Sequence, residues 1–404
     1  MPRRNPSPAD DAGGAAAAPD PSCRADVIAA HLRDYDRIAL VLQGGGALGA
    51  YQCGVIEALD DCGVCPTWVA GISIGAINCA LVAGNAPGKR TEALRAFWET
   101  VTESPLLPLL PWDHGGAMRW IPEPIQPSVA ALQGLRALFE GQRGFYFPRW
   151  PLPASGPAHA SYYDTSPLRS TLERLVDFDR LNSGETRISV SAVNVRSGNQ
   201  VVFDSAAMRL GPEHIMASGA LPPGFPAVEI DGEFYWDGGL VSNTPLADVL
   251  GGHPSHNTLV FQVDLWSAAG QLPQNLLDVG ERQKDIQFSS RTRAITTTLR
   301  RAQEQRRILR ELLARIPDGA DRKDALCKRV QAMAADKRYN VIHLIYRDKP
   351  FDGEGKDYVF GRAQMRAHWR SGLDDMRRTL DHPDWFALPG EDTGFVTHDV
   401  HTGA

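Results

Sequence analysis

RIALVLQGGGALG, residues 37–49, is an apolar run of strand length that ends in three consecutive glycines. Glycine loses more backbone entropy on folding than any other residue, so a triplet beside a strand is tolerated where backbone must turn tightly or approach something closely. The residues that follow extend the pattern. LGAYQCGVIEALDDCG (48–63) has helical spacing and a glycine stop, TWVAGIS (67–73) is a second short strand, and IGAINCALVAG (74–84) is a second helix. Such a βαβα unit predicts an α/β fold of three layers, helices lying on both faces of a mostly parallel sheet. Ligands then bind at the carboxyl ends of the strands.

The chain of 404 residues is 43% hydrophobic and 22% charged, enough to bury one large core or two modest ones. A net charge of −6 gives no global field for nucleic acid, so no nucleic-acid partner is expected. The Pro-, Ala- and Asp-rich residues 1–24 read as a disordered tail, without the unbroken apolar stretch of a signal peptide. No window reaches the roughly 18 to 20 apolar residues of a membrane span, and the expected compartment is the cytoplasm. The six cysteines are scattered, and the one C-x-x-C, Cys62 and Cys65, lacks a second pair at zinc spacing. They read as structural thiols, with no metal and no cofactor implied.

Residues 104–157 hold ten prolines interleaved with Trp112, Trp120, Phe145, Tyr146, Phe147 and Trp150. Proline at that density prevents long regular elements, apart from a short helix over VAALQGLRALFEG (129–141). The segment reads as an insertion, either an extended loop packed on the core or an apolar lid over a site for greasy substrate. Strands resume with TRISVSAVNV (186–195), QVVFD (200–204), EFYWDGG (233–239) and NTLVFQVDL (257–265), and YNVIHLIYR (339–347) follows later. Between them, 291–316 carries eight arginines on one face of a helix, with Ile295, Leu299, Ala302, Leu309, Leu312 and Ile316 on the other. It is either an ordinary solvated helix or one lying on an anionic lipid surface. A last helix over 361–380 places Met365, Trp369, Leu373, Met376 and Leu380 on one side.

Gly44, Gly46 and Gly49 satisfy G-x-G-x-x-G between a strand and a helix, the setting of a dinucleotide-binding turn. That reading requires a carboxylate at the end of the second strand, and none stands there. The strand ends instead in Gly71-Ile72-Ser73-Ile74-Gly75, a G-x-S-x-G in which small neighbours keep the serine hydroxyl clear on a strained strand-to-helix turn. If Ser73 attacks an ester carbonyl, the oxyanion formed must meet preorganised donors, and the amides of Gly44, Gly45 and Gly46 are placed to provide them. The base is the remaining question. His343, His368, His382, His398 and His401 stand in no telling context, whereas Asp237 ends an aromatic strand and runs straight into Gly238 and Gly239. An ordinary aspartate, with a pKa near 3.9, is a poor base at neutral pH; Phe234, Tyr235 and Trp236 are expected to exclude water and raise it. Asp164, Asp204 and Asp264 lack such a turn.

GGGALG, GISIG and DGGLVSNTP, in this order and separation, resemble the three signatures of the patatin-like phospholipase family. The resemblance spans roughly 37–265 as a catalytic domain. It implies hydrolysis of lipid acyl esters by a Ser-Asp dyad without histidine: Ser73 as nucleophile, Asp237 as proton acceptor, Gly44 to Gly46 as oxyanion loop, and Gly49, Gly71, Gly75, Gly238 and Gly239 as motif glycines. Residues 266–390 are similar to the mainly helical extension of a bacterial subgroup, and 391–404 read as a tail. In the family's glycine loop an arginine or lysine often stands where this chain has Leu48, which argues against a phospholipid preference more than against hydrolysis. Other readings stay open at this level. They are a short-chain or polyester esterase, a nucleotide-binding oxidoreductase using the glycine loop, and a non-catalytic lipid-surface or partner-binding protein on a hydrolase scaffold. The basic helix 291–316 is the candidate for peripheral membrane contact.

Overall fold

The computed structural model describes residues 21–102, 141–149, 156–251, 256–290, 292–316, 324–334, 338–347, 357–358, 360–391 and 393–401. The first half of the chain runs α1 (Pro21–Leu32), β1 (Arg37–Leu42), α2 (Ala50–Asp61), β2 (Trp68–Gly71), α3 (Ile74–Ala83) and α4 (Arg90–Val101). After the 104–157 segment come α5 (Ser166–Leu175), α6 (Phe178–Leu181), β3 (Arg187–Asn194), β4 (Gln200–Asp204), α7 (Pro212–Ser218), β5 (Val228–Ile230) and β6 (Glu233–Asp237). The remainder is α8 (Leu246–Gly251), β7 (Thr258–Asp264), α9 (Leu276–Phe288), α10 (Thr292–Ala314), α11 (Ala325–Met333), β8 (Tyr339–Ile345), α12 (Arg362–Leu380) and β9 (Phe395–Asp399).

β1 and β7 carry apolar side chains on both faces, and Ala39 to Leu42 are fully buried, as strands covered by helices on either side must be. They sit mid-sheet in the order β9-β8-β7-β1-β2-β3-β6-β5, with β4 also paired to β3. The pairings from β9 to β3 are parallel, while β4, β6 and β5 run antiparallel at the other side. This is the mostly parallel α/β sheet that the βαβα pattern predicts.

Register decides where the chemistry can be. Gly71 of β2 stands opposite Val190 of β3, so Ser73, two residues on, reaches the level of Ala192. Ala192 in turn stands opposite Asp237 of β6. β2 and β6 take successive stretches of one edge of β3, whose other edge is paired with β4, so two residues far apart in the chain meet where those two strands end. Leu42 faces both Gly71 and Val263, so the glycine triplet after β1 emerges at the same rim.

The chain beyond Leu265 is built into this sheet. Strand β8 lies along β7 over its full length, from Tyr339 opposite Thr258 to Ile345 opposite Asp264. Residues 395–399, expected as part of a tail, form β9 and pair with β8. FVTHD shows no alternation that would announce a strand; it is one because the apolar edge of β8 needs cover, and Phe395 is buried there. Residues 1–20 lie outside the described residues, as do 103–140, 150–155 and 402–404, and with them the short helix expected over 129–141. On α10 the protein-facing side is Gln303 and Leu313, while Leu312, expected on the apolar face, is 53% exposed.

Helix α12 packs on α2 through two glycines. A Cβ on Gly54 would lie 1.9 Å from the Trp369 carbonyl oxygen, and one on Gly372 would lie 1.9 Å from the carbonyl oxygen of Tyr51. Each helix thus accepts the backbone of the other, and the Tyr51 hydroxyl donates across the interface to Asp375 at 2.8 Å. Gly372→Ala is expected to destabilise the fold by about 1–3 kcal/mol, because backbone rather than a flexible side chain must give way. Urea denaturation checks this, and an unchanged midpoint would contradict the close packing.

Candidate active site

Ser73 stands between β2 and α3 with φ 58° and ψ −125°, a backbone conformation that side-chain-bearing residues adopt only under constraint. The constraint is visible. Its amide donates to both the carbonyl and the hydroxyl of Ser218, each at 3.1 Å, and that hydroxyl donates to the Ser191 carbonyl at 2.7 Å. The glycines on either side are sterically required: a Cβ on Gly71 would be 2.4 Å from the Gly75 carbonyl oxygen, and one on Gly75 2.4 Å from that of Leu42. The turn folds back so tightly that only hydrogen fits at both places. Ser73 is left half-buried, its side chain at the wall of a cavity.

The glycine loop is fixed from behind. The Gly44 carbonyl accepts from Trp266 Nε1 at 2.9 Å and from Asn243 Nδ2 at 3.0 Å, and the Gln43 carbonyl accepts from Gln52 Nε2 at 2.7 Å. The Gly44 amide is spent on the Asn243 carbonyl at 3.3 Å, and that of Ala47 on the Asp357 carbonyl at 2.8 Å. Among the described residues, the amides of Gly45 and Gly46 have no acceptor, and both residues line the cavity. Gly46 takes φ +55° to make this turn, and Gly49 packs against Ile74 at the start of α3, where a Cβ would stand 2.5 Å from its side chain.

Asp237 is 2% exposed at the end of β6. Its Oδ1 accepts from the Gly239 amide at 2.7 Å, and its carboxylate faces the Ser73 hydroxyl at the cavity wall. Gly238 allows the turn, since a Cβ there would meet the Ser191 carbonyl oxygen at 2.5 Å. Burial pushes the carboxyl up from 3.8 to about 7, against the opposing pull of the Gly239 amide and the Ser73 hydroxyl. The expected source of this desolvation is corrected by the structure. Phe234, Tyr235 and Trp236 are half-buried and none lines the cavity; Tyr235 packs on Phe203 instead. Asp237 is dry because its strand ends inside the molecule against β3.

The cavity holds about 290 Å³ beside the Ser73–Asp237 pair. Its walls are Ile74, Ile77, Leu168 and an aromatic group in which Phe145 meets Phe225 at 5.7 Å and Phe360 at 5.6 Å, and Tyr146 meets Tyr163 at 4.7 Å. Of the Pro- and aromatic-rich segment expected to cover the site, most lies outside the described residues; Phe145 and Tyr146 belong to it and form this wall. Leu48 is fully buried and does not line the cavity.

The other candidate carboxylates are engaged elsewhere. Asp164 pairs with Arg149 at 3.4 Å, Asp204 is held bidentately by Arg187, and Asp264 is 2.6 Å from His343. Among the described residues no histidine lines the cavity. Gln43, Ser218, Asn243 and Trp266, which hold the Ser73 turn and the glycine loop, were given no role from the sequence. Asn243 lies inside the DGGLVSNTP motif and Trp266 directly follows a strand end at the ligand-binding rim, so both were within reach; Ser218 carries no sequence signal.

A family model described as Patatin-like phospholipase matches residues 40–250, and a second, described as Patatin phospholipase, matches 286–392. Over 73 residues the chain is 42% identical to patatin-like phospholipase domain-containing protein 6 of Mus musculus, which covers 18% of this chain and 5% of that protein. Over 48 residues it is 44% identical to triacylglycerol lipase SDP1L of Arabidopsis thaliana, covering 12% of this chain and 6% of the other. The chain therefore matches only a small part of the length of these relatives. Among solved structures it resembles VipD from Legionella pneumophila, with a TM-score of 0.38 and 16% identity over 86% of this chain and 67% of that one.

The ionised Asp237 has a linkage consequence. Its folded pKa of about 7 exceeds the ordinary 3.8, so burial of the carboxylate costs nothing below about pH 4, and the cost grows until the pH passes 7. Above that the cost is on the order of 4 kcal/mol. Asp237→Asn is accordingly expected to raise Tm, and by more at pH 8 than at pH 5. A Tm gain equal at both pH values would contradict the buried, uncompensated carboxylate.

Proposed function

The chain belongs to the patatin-like phospholipase family, and from that membership and the pairing of Ser73 with a buried Asp237 we propose that it is a lipid acyl hydrolase working through these two residues. The single observation that carries the reading is that the Ser73 hydroxyl lies at the cavity wall beside a carboxylate whose pKa burial pushes up to about 7. A base so tuned is ionised over half its population at neutral pH and still basic enough to take the serine proton.

In this reading Asp237 accepts that proton as Ser73 Oγ attacks the acyl carbonyl. The oxyanion turns toward the amides of Gly45 and Gly46 at the foot of α2, beside Gly44. Collapse expels the alcohol, which leaves with the proton held by Asp237, and Ser73 remains acylated. Asp237 then deprotonates water, which releases the fatty acid and restores the serine. The apolar and aromatic cavity takes the acyl chain, and no metal or cofactor is required. Contact with a membrane surface is assigned to α10, where Arg300, Arg301 and Arg307 are exposed beside Ile308 and Leu312. No helix among the described residues is long and apolar enough to cross a membrane.

Turnover of p-nitrophenyl esters of increasing chain length, run beside a phospholipid, tests the proposal. Ser73→Ala is expected to lose roughly 10⁴-fold or more in kcat. Activity that survives the substitution would remove Ser73 from the chemistry. For the wild type, kcat/KM is expected to rise tenfold per pH unit up to about 7 and then level, since the free enzyme needs Asp237 ionised. A profile flat between pH 5 and 7 would exclude Asp237 as the base.

A further inference from the structure

Beneath the glycine loop lies a buried polar cluster that the dyad does not use. His343 Nε2 meets Asp264 Oδ2 at 2.6 Å, Gln262 Nε2 donates to the same oxygen at 2.8 Å, and the Ser290 hydroxyl donates to it as well. The other carboxylate oxygen accepts from Thr244 Oγ1 at 3.4 Å. Thr244 Oγ1 accepts in turn from Gln43 Nε2 at 3.0 Å. Gln43 is completely buried, and its side chain is fully used: Nε2 also donates to the Phe288 carbonyl at 3.0 Å, while Oε1 accepts from the amides of Leu265 at 2.6 Å and Trp266 at 3.0 Å. Its neighbour in sequence is Gly44.

The chain has a direction. Asp264 is an acceptor held in place by three donors, so the Thr244 proton points toward it and Thr244 presents its lone pair to Gln43. With its amide group so fixed, Gln43 aligns the backbone of 265–266, and Trp266 Nε1 then reaches the Gly44 carbonyl. Buried networks of this kind are costly unless complete, and an apolar core would serve stability as well or better. What this one supplies is position, at the strand ends where β1, β7 and β8 deliver the oxyanion loop.

We propose that the Asp264–His343 pair, acting through Thr244 and Gln43, is a positioning network for the oxyanion loop, so that the chain beyond Leu265 is required for the chemistry as well as for the fold. The inference rests on the acyl-hydrolase reading for its catalytic consequence only; the positioning of the loop is a property of the protein whatever its substrate. His343, Asp264, Thr244 and Gln43 touch no reacting atom and are positioning residues. A loop amide displaced by about 1 Å from the oxyanion costs on the order of 100-fold in rate while leaving the acyl cavity, and thus KM, nearly unchanged.

The test uses the full chain with Thr244→Val, which keeps the side-chain shape and removes the relay, and Thr244→Ser, which keeps the hydroxyl. Two quantities are read: kcat and KM on a p-nitrophenyl ester, and amide hydrogen exchange over residues 43–49 by mass spectrometry. Thr244→Val is expected to lower kcat about 30- to 100-fold with KM within twofold and to accelerate exchange in 43–49 at least tenfold, with Thr244→Ser returning both toward wild type. Unchanged exchange in 43–49 in folded Thr244→Val overturns the proposal, as does a loss that Thr244→Ser fails to rescue. If Thr244→Val does not fold, His343→Gln is measured in the same way and judged by the same exchange criterion. A wild-type protein that turns over no ester, yet shows faster loop exchange in Thr244→Val, sinks the hydrolase reading and leaves the positioning network standing.

Discussion

Asp237 is a buried carboxylate with no cation beside it among the described residues, and the rest of the site is organised around that fact. The Gly239 amide, which donates to it at 2.7 Å, and the neighbouring Ser73 hydroxyl are what favour its charge inside the protein. A group so placed is under tension: it is stabilised when it takes a proton, and the hydroxyl it faces is that of Ser73. A histidine-based site moves the proton to a ring that then needs an acid to support it. Here desolvation alone raises the carboxyl to the range where it can act.

The geometry that brings the pair together is a matter of sheet register. One edge of β3 is shared end to end by β2 and β6, with β4 on the other edge, and at the Ala192 level Ser73 and Asp237 come together. β6 could not slip by one residue without turning Asp237 to the opposite face of the sheet. The glycine loop is tied to the same rim by two side chains, Asn243 after the Asp237 turn and Trp266 beyond β7, and Asn243 donates in turn to the Phe288 carbonyl. Strands β8 and β9 and helix α12 are thus continuous with the framework that holds Ser73, Asp237 and the glycine loop. The close contact of Gly54 with the backbone of α12 anchors α2, the helix that begins just after the loop.

Much of this was legible in the residues. The βαβα unit is written as apolar runs separated by glycine, and the three motifs mark Ser73, Asp237 and the glycine loop because each needs a steric condition that only small residues meet. What stayed hidden was long-range. The raised pKa of Asp237 was expected, but its cause lies in where β6 ends within the fold, not in the aromatic residues that precede it. Asn243 and Trp266 look like ordinary polar and aromatic residues until the fold places them around the Gly44 carbonyl, as does Gln43 until its side chain meets the amides of 265–266. Strand β9 was read as tail because five residues with His398 and Asp399 carry too little pattern to compete with a terminal position; pairing with β8 supplied what the local sequence did not. Asp264 and His343 are 79 positions apart, and only the parallel pairing of β7 with β8 makes them neighbours.

The central claim is that an anionic oxygen formed on Ser73 is received by the amides of Gly45 and Gly46 while Asp237 faces the serine oxygen. The crystal structure of the protein after reaction with an alkyl fluorophosphonate tests it most directly, because the phosphonyl oxygen occupies the oxyanion position. The account predicts phosphorus bonded to Ser73 Oγ, with one phosphonyl oxygen about 2.7–3.1 Å from those amide nitrogens. An adduct on another residue, or a phosphonyl oxygen pointing away from the glycine loop, would contradict it.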